Sequence, residues 1–385
     1  MSRDNRRVAF ALFLWGSGEG LFYYIQSLYI EALGANPVQI GTALSVAGMA
    51  AAISFIPAGW LADRVERKRL MMGGWVLGSI AVWGMALARD WREFTVGLVL
   101  YSLSAYCVPA ISAYVAHAAG GTPLEQALTT VYAGYTLGTI LSPTVGGWLA
   151  DALGMRSVYY GAGLLFGLST LTVSTVAPQP ASGTAPQWTW QPLLRGVRSW
   201  WPFLLWLPLA FLAMYLPTPL TPNFLADTRG MPVGRIGALG TAYSLGATVL
   251  SLVLGRLPNR RPWGLMLAQA LVMVSVILVW QGPLWPLLAL GYFLRGSYST
   301  ARSLSSAWLG KHLSPTSRGI AFGAVETLIA LAQMVAPYLA GHLYATDPAR
   351  PFAVALMLLP ITTLTTLVVS QAHSGQHPLE KPSAG

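Results

Sequence analysis

Long apolar stretches alternate along this chain with short breaks of charge, proline and glycine. Windows of about 20 mostly apolar residues, the length a helix needs to cross hydrocarbon, can be placed twelve times. They fall near residues 8–33, 38–61, 70–88, 94–117, 126–150, 157–177, 200–225, 235–255, 263–281, 284–309, 319–344 and 352–371. None shows the ten-residue alternation of a barrel strand, and lipid admits only helices or closed barrels. The pattern therefore predicts an all-α integral membrane protein with about twelve transmembrane helices.

Two of these windows carry polar stripes. Trp15, Glu19, Tyr23 and Gln26 step by four, four and three, and Arg295, Ser299, Arg302 and Ser306 by four, three and four, so each set is expected on one helix face. The third, sixth, ninth and twelfth windows hold no ionisable residue in their bodies, which suits lipid-facing helices. Pro217, Pro219 and Pro222 precede Asn223, so the outer end of the seventh window is expected to be irregular. The longest break, rich in Pro, Gln, Trp and Ser, follows the sixth window. It divides the chain into a bundle over 1–177, a linker over 178–199, a second bundle over 200–372 and a tail over 373–385.

Composition narrows the class. Of 385 residues 54% are hydrophobic and 9% charged, far below the roughly 25% charged share of soluble domains. The net charge of +10 sits in short loops beside apolar spans, a pattern of anchoring and anionic headgroups, and not of nucleic-acid binding. With the N-terminus inside, Lys and Arg number fifteen on the cytoplasmic segments against six outside. That places both termini in the cytoplasm of a multi-pass cell-membrane protein. The single cysteine, Cys107, lies in an apolar run and reads as a packing residue.

The break from Gly59 to Leu70 is dense in charge: Asp63, Arg64, Glu66, Arg67, Lys68 and Arg69. With Gly59 and Leu61 it resembles the signature loop of the major facilitator superfamily, although Glu66 stands where that family usually has a second glycine. The pattern recurs in the second half, where Gly255, Leu257, Asn259 and Arg260 match Gly59, Leu61, Asp63 and Arg64. Pro143, Gly147 and Leu149 likewise match Pro337, Gly341 and Leu343. In the fifth window Gly138, Ser142, Pro143, Gly146 and Gly147 resemble the Gly and Pro rich motif of facilitator antiporters. Physically, they read as small residues that let two helix backbones approach.

The resemblance implies two pseudo-symmetric six-helix bundles around a midplane site. It also implies a loop, Gly59, Asp63, Arg64, Arg67 and Lys68 with Gly255, Asn259 and Arg260, that governs conformational switching. Buried charge at membrane depth is costly and usually functional, and four ionisable residues fall well inside the windows. Glu19 and Arg295 lie roughly 16 Å into their helices and Arg302 and Glu326 roughly 10 Å. Arg302 and Glu326 are expected to form a buried neutralising pair. Glu19, Tyr23, Gln26, Arg295 and Ser299 are the candidate substrate and proton-binding residues, since the resemblance puts the first and tenth helices on the central cavity. The fourth window has no arginine of the kind found in many proton-linked relatives. Nothing resembles a metal cluster, nucleotide loop or hydrolytic triad, so the expectation is a secondary transporter without cofactor, not an enzyme. Its partners are then the bilayer, a small-molecule substrate and a coupling proton, with the chain acting as a monomer. Proton-coupled efflux of an amphipathic compound ranks first, then transport of a sugar or organic anion, then a non-transporting receptor.

Overall fold

The structure, a computed structural model, describes residues 1–119, 123–179, 191–256, 263–311 and 318–374, with backbone alone for 55–64, 191–201, 309–311, 318–324 and 370–374. Every regular element among the described residues is helical. In chain order these are α1 (Arg3–Tyr23), α2 (Gln26–Ala32), α3 (Pro37–Arg64), α4 (Arg67–Leu87), α5 (Trp91–Leu103), α6 (Val108–His117), α7 (Leu124–Leu153) and α8 (Met155–Ser174). There follow α9 (Gln191–Tyr215), the single turn α10 (Thr221–Asn223), α11 (Val233–Leu254), α12 (Trp263–Gln281), α13 (Trp285–Arg295), α14 (Ser297–Lys311), α15 (Arg318–Thr346) and α16 (Arg350–Ser374). Each apolar window coincides with one helix or with a helix broken in its course.

Among the described residues eight helices or near-continuous helix runs are long and apolar enough to cross a membrane, nine if the bent pair α1 and α2 is one span. The other windows fall short of that measure for visible reasons. Ser, Thr and Gly dilute α7 and α8, and the tenth window is cut into two helices of 11 and 15 residues.

The breaks have local causes. α1 and α2 meet at a 52° bend, where Ile25 donates its N–H to Phe22 O at 3.0 Å and takes φ −120°. α5 passes into α6 through a 3₁₀ turn over Ser104–Cys107, just before Pro109. The proline-rich stretch after α9 is irregular as expected, with a 3₁₀ turn over Thr218–Leu220 and a widened turn over Phe224–Thr228. The charged loop is shorter than expected. α3 runs on through Gly59, Asp63 and Arg64, leaving only Val65 and Glu66 before α4. Glu66 takes φ −52°, an ordinary value for any residue, so this turn does not require the family's glycine.

The chain packs as two units, one of Met1–Pro186 with Pro219–Ser244, the other of Gln187–Thr218 with Leu245–Gly385. In the first, α1 is the central strut, flanked by α7 and α8. Its seam with α7 is built of small residues. A Cβ on Gly138 would lie 2.5 Å from Phe13 O, and one on Gly146 would collide with Leu21 O. Ser142, buried, returns its hydroxyl to Gly138 O at 2.8 Å and sits against Gly20. Ser169 joins α8 to α1 by donating to Ala11 O at 2.7 Å and accepting from Trp75 Nε1 at 2.7 Å. In the second unit α12 packs against α13, α14 and α16, and α9 against α15 and α16. Buried polar contacts there are Trp206 Nε1 to Thr362 O at 3.0 Å and Thr366 Oγ1 to Gln269 Oε1 at 3.0 Å.

Candidate functional site

In the first unit Glu19 sits in the last turns of α1, near the middle of the bent run formed by α1 and α2, half-buried, between two glycines that bring α7 and α8 close. Tyr135 of α7 donates its hydroxyl to Glu19 Oε2 at 2.8 Å. The Tyr101 hydroxyl of α5 lies beside the same carboxyl group. One turn before Glu19, the Trp15 ring stacks on Phe166 with centroids 3.9 Å apart and planes 7° apart, meets Trp75 edge-on at 5.5 Å and lies along Tyr101 at 6.3 Å. Phe22, one turn later, meets Tyr101 edge-on at 5.8 Å.

The chemistry of this arrangement follows from its partners. A carboxylate only accepts hydrogen bonds, a carboxylic acid also donates, and a phenol does either. Tyr135, with the Tyr101 hydroxyl beside it, can therefore answer Glu19 in either protonation state, and among the described residues no cation is bonded to it. Phe22, Phe166 and Trp75 are buried, which leaves the half-buried Trp15 and Tyr101 as the rings that suit a flat apolar or cationic body.

The other candidates are placed as follows. Tyr23 is 49% exposed and its ring meets Tyr24 edge-on at 5.2 Å. Gln26 is buried, but it lies beyond the bend at Tyr24 and Ile25, so the expected single stripe from Trp15 to Gln26 ends at Tyr23. The second stripe is interrupted too. α13 ends at Arg295 and α14 begins after Gly296, whose backbone is pressed against Gly246 and Ala247. Arg295 is 3% exposed with its guanidinium 5.0 Å from the Tyr292 ring centre, whereas Ser299 is half-buried and Arg302 exposed. A close helix approach thus separates residues that spacing alone puts on one face.

Arg302 donates to Glu326 from both Nε, at 2.7 Å, and NH2. The expected burial of this pair is not observed, since the two side chains are 46% and 42% exposed. Arg302 lies with Ser303 on the exposed face of α14, whose buried face is formed by Thr300, Ala301 and Ser305.

The loop residues are partly described. Gly59, Asp63 and Arg64 lie in the last turns of α3, where only the backbone is described, and Asn259 and Arg260 lie outside the described residues. Arg67 donates its main-chain N–H to Gln179 O at 3.3 Å and its guanidinium to Gln179 Oε1 at 3.4 Å, tying the start of α4 to the stretch after α8. Lys68 is half-buried and Gly255 closes α11 with its N–H on Ser251 O at 3.1 Å. Of the packing motif, Gly138, Ser142 and Gly146 face α1, while Pro143 and Gly147 face the first turns of α11.

The family model of the Major Facilitator Superfamily matches residues 8–232 and again 208–383. This chain belongs to the Major Facilitator Superfamily. Among curated relatives, the multi-drug resistance efflux pump PmrA of Streptococcus pneumoniae is 31% identical over 179 residues, 44% of each chain. The enterobactin exporter EntS of Escherichia coli is 27% identical over 315 residues, 78% of this chain and 75% of EntS. The matched stretch thus spans less than half the length of PmrA. The crystal structure of the nucleoside transporter NupG superposes with a TM-score of 0.76 at 16% identity, covering 97% of this chain and 98% of that one. The peptide transporter POT in complex with sulfate gives 0.77 at 15% identity, covering 97% and 96%. These two share the facilitator fold. Facilitator membership makes the chain a multi-pass membrane protein of a transporter family, not of an enzyme family.

In the sequence Tyr101 and Tyr135 read only as features of their windows. The signal that pairs them with Glu19 is the α1 to α7 glycine seam, which fixes Tyr135 at the height of Glu19. Asp151 and Glu31, near helix ends, are not singled out by depth within the windows, although both bind residues of the stretch Pro219–Ser244.

Proposed function

We propose that this chain is a secondary transporter with twelve spans, both termini cytoplasmic, acting as a monomer in the cell membrane. It exports a small amphipathic compound in exchange for protons. The observation that carries the reading is Glu19, a half-buried carboxyl group near the middle of the bent run of α1 and α2, bonded by the Tyr135 hydroxyl with Tyr101 and packed aromatic rings beside it. The names of PmrA and EntS, both exporters, support the direction. Glu19 carries the proton, and the half-buried rings of Trp15 and Tyr101 offer faces to the substrate. Tyr23, Gln26 and Ser299 line the path.

Arg295 favours a second reading. A guanidinium only 3% exposed within a membrane protein costs less when a substrate brings a carboxylate or hydroxyls to it. In that case the cargo is an organic anion or a sugar.

The test is uptake into inside-out vesicles or proteoliposomes under an imposed pH gradient, with lipophilic cations and organic acids run side by side. Accumulation of cations together with proton release from an acid lumen supports export. Accumulation of acids alone, lost in Arg295→Gln, would replace the first reading by the second.

A further inference from the structure

The structure carries a second acidic device, at the end of α7. Asp151 accepts the main-chain N–H of Gly234 through Oδ2 at 2.8 Å. Gly234 is in the first turn of α11, where N–H groups have no partner within the helix, and an acceptor carboxylate there also meets the favourable end of the helix dipole. Asp151 therefore caps a helix that belongs, by sequence, to the other half of the chain. The contact is close, because a Cβ on Gly147 would stand 2.9 Å from Val233 O.

Other bonds hold the same segment. Asn223 donates to Glu31 Oε2 at 2.5 Å and to Ser27 O at 3.4 Å. Thr144 and Thr241 share a hydrogen bond at 2.8 Å, and Tyr24 and Ser244 one at 3.0 Å. Together they attach Pro219–Ser244 to the first packing unit, and the unit boundary then runs through the middle of the continuous helix α11, between Ser244 and Leu245.

The sequence around Asp151 has a twin. Gly147, Trp148, Leu149, Ala150 and Asp151 repeat, residue for residue, Gly59, Trp60, Leu61, Ala62 and Asp63. The first copy closes α3 and the second lies at the end of α7. Under the proposed topology α3 ends at the cytoplasmic face and α7 at the outer face, so the same five residues stand at opposite sides of the membrane. The helix that receives Asp151 opens with Gly234, Arg235 and Ile236, and α15, which starts at the cytoplasmic face, opens with Arg318, Gly319 and Ile320.

We infer that Asp151 is the outer counterpart of Asp63, a positioning residue whose cap on α11 holds the outer end closed and must break for that end to open. The two copies act in opposition, each stabilising closure of its own face. The inference rests on the transporter reading but not on cargo or coupling ion. Its test is therefore free of both.

Spin labels at Leu153→Cys and Thr228→Cys, in a Cys107→Ser background, report the distance between the end of α7 and the segment before α11. Pulsed dipolar spectroscopy on the full chain in nanodiscs, without substrate or pH gradient, gives the populations. Asp151→Ala should raise the long-distance population by roughly fivefold, the size of effect produced by a lost helix N-cap. Asp151→Asn, which keeps the shape and weakens the acceptor, should raise it less. Asp63→Asn should lower it. Unchanged distributions in the Asp151 variants, or a shift in the same direction for Asp63→Asn, overturn the inference. A failure of Asp151→Asn to yield folded protein would overturn it too, by making the residue a structural one. Because no transport is measured, a failed export assay leaves this result standing, and the reverse.

Discussion

Two carboxylates in this molecule are held in opposite ways. Glu19 accepts from the Tyr135 hydroxyl, with that of Tyr101 beside it, and is half-buried in the last turns of α1, whereas Glu326 is bonded by the Arg302 guanidinium on side chains more than two-fifths exposed. A guanidinium only donates, so it fully answers a carboxylate but not the hydroxyl of a carboxylic acid. A carboxyl group tied to a phenol remains satisfied whether charged or neutral. Under the proposed function this difference favours Glu19 as the proton carrier and Glu326 as the partner of Arg302.

The sharpest way to break this contrast is Glu19→Gln. The amide keeps the shape and the hydrogen-bonding capacity but removes titration. Transport driven by a pH gradient should fall to the background of empty liposomes, while substrate binding, read by tryptophan quenching or calorimetry, persists with an affinity independent of pH. Linkage demands that independence, since a proton that no longer binds cannot compete with substrate. Gradient-driven accumulation by the mutant would move the carrier role elsewhere, with Glu326 next in line.

The hydroxyls can be tested in turn. Tyr135→Phe removes the 2.8 Å bond to Glu19 and leaves the ring in place. A hydrogen bond to a charged group is worth roughly 1.5–3 kcal/mol, so gradient-driven transport should drop about tenfold or more, with Tyr101→Phe acting in the same direction. The double Phe variant should approach Glu19→Gln without equalling it. Were both single variants as active as the parent, the phenols would be packing residues and the contrast with Glu326 would lose its chemical basis.

How far the sequence reaches can be seen in these residues. Apolar run length located the helices, because a membrane leaves few other solutions, and the prolines at 217, 219 and 222 marked an irregular stretch that the structure contains. The bend at Tyr24 and Ile25 and the interruption at Gly296 were not legible, since no proline marks either. The second arises from α11 backbone pressed against Gly296, a tertiary contact. Glu19 stood out as a lone mid-span acid, but its partners did not, because a tyrosine in an apolar window looks the same whether it packs or bonds. The depth of Arg302 and Glu326 along their helices was readable. Their exposure was not, since depth in a helix says nothing about which side it turns.

The smallest effect belongs to the Arg302 and Glu326 pair, and it sharpens the comparison from the other side. Exposed ion pairs contribute little, commonly about 0.2–1 kcal/mol, and these side chains are 46% and 42% exposed. In a double-mutant cycle of Arg302→Gln, Glu326→Gln and both together, thermal unfolding in detergent should give a coupling below about 1 kcal/mol. Each single variant should lose slightly more stability than the double. Adding salt should shrink the coupling, because screening acts on exposed charges. A coupling of several kcal/mol, insensitive to salt, is the signature of a desolvated pair in which removing one partner strands the other. That outcome would mean bilayer or neighbouring helix covers this face, and Glu326 would then share the burial that distinguishes Glu19.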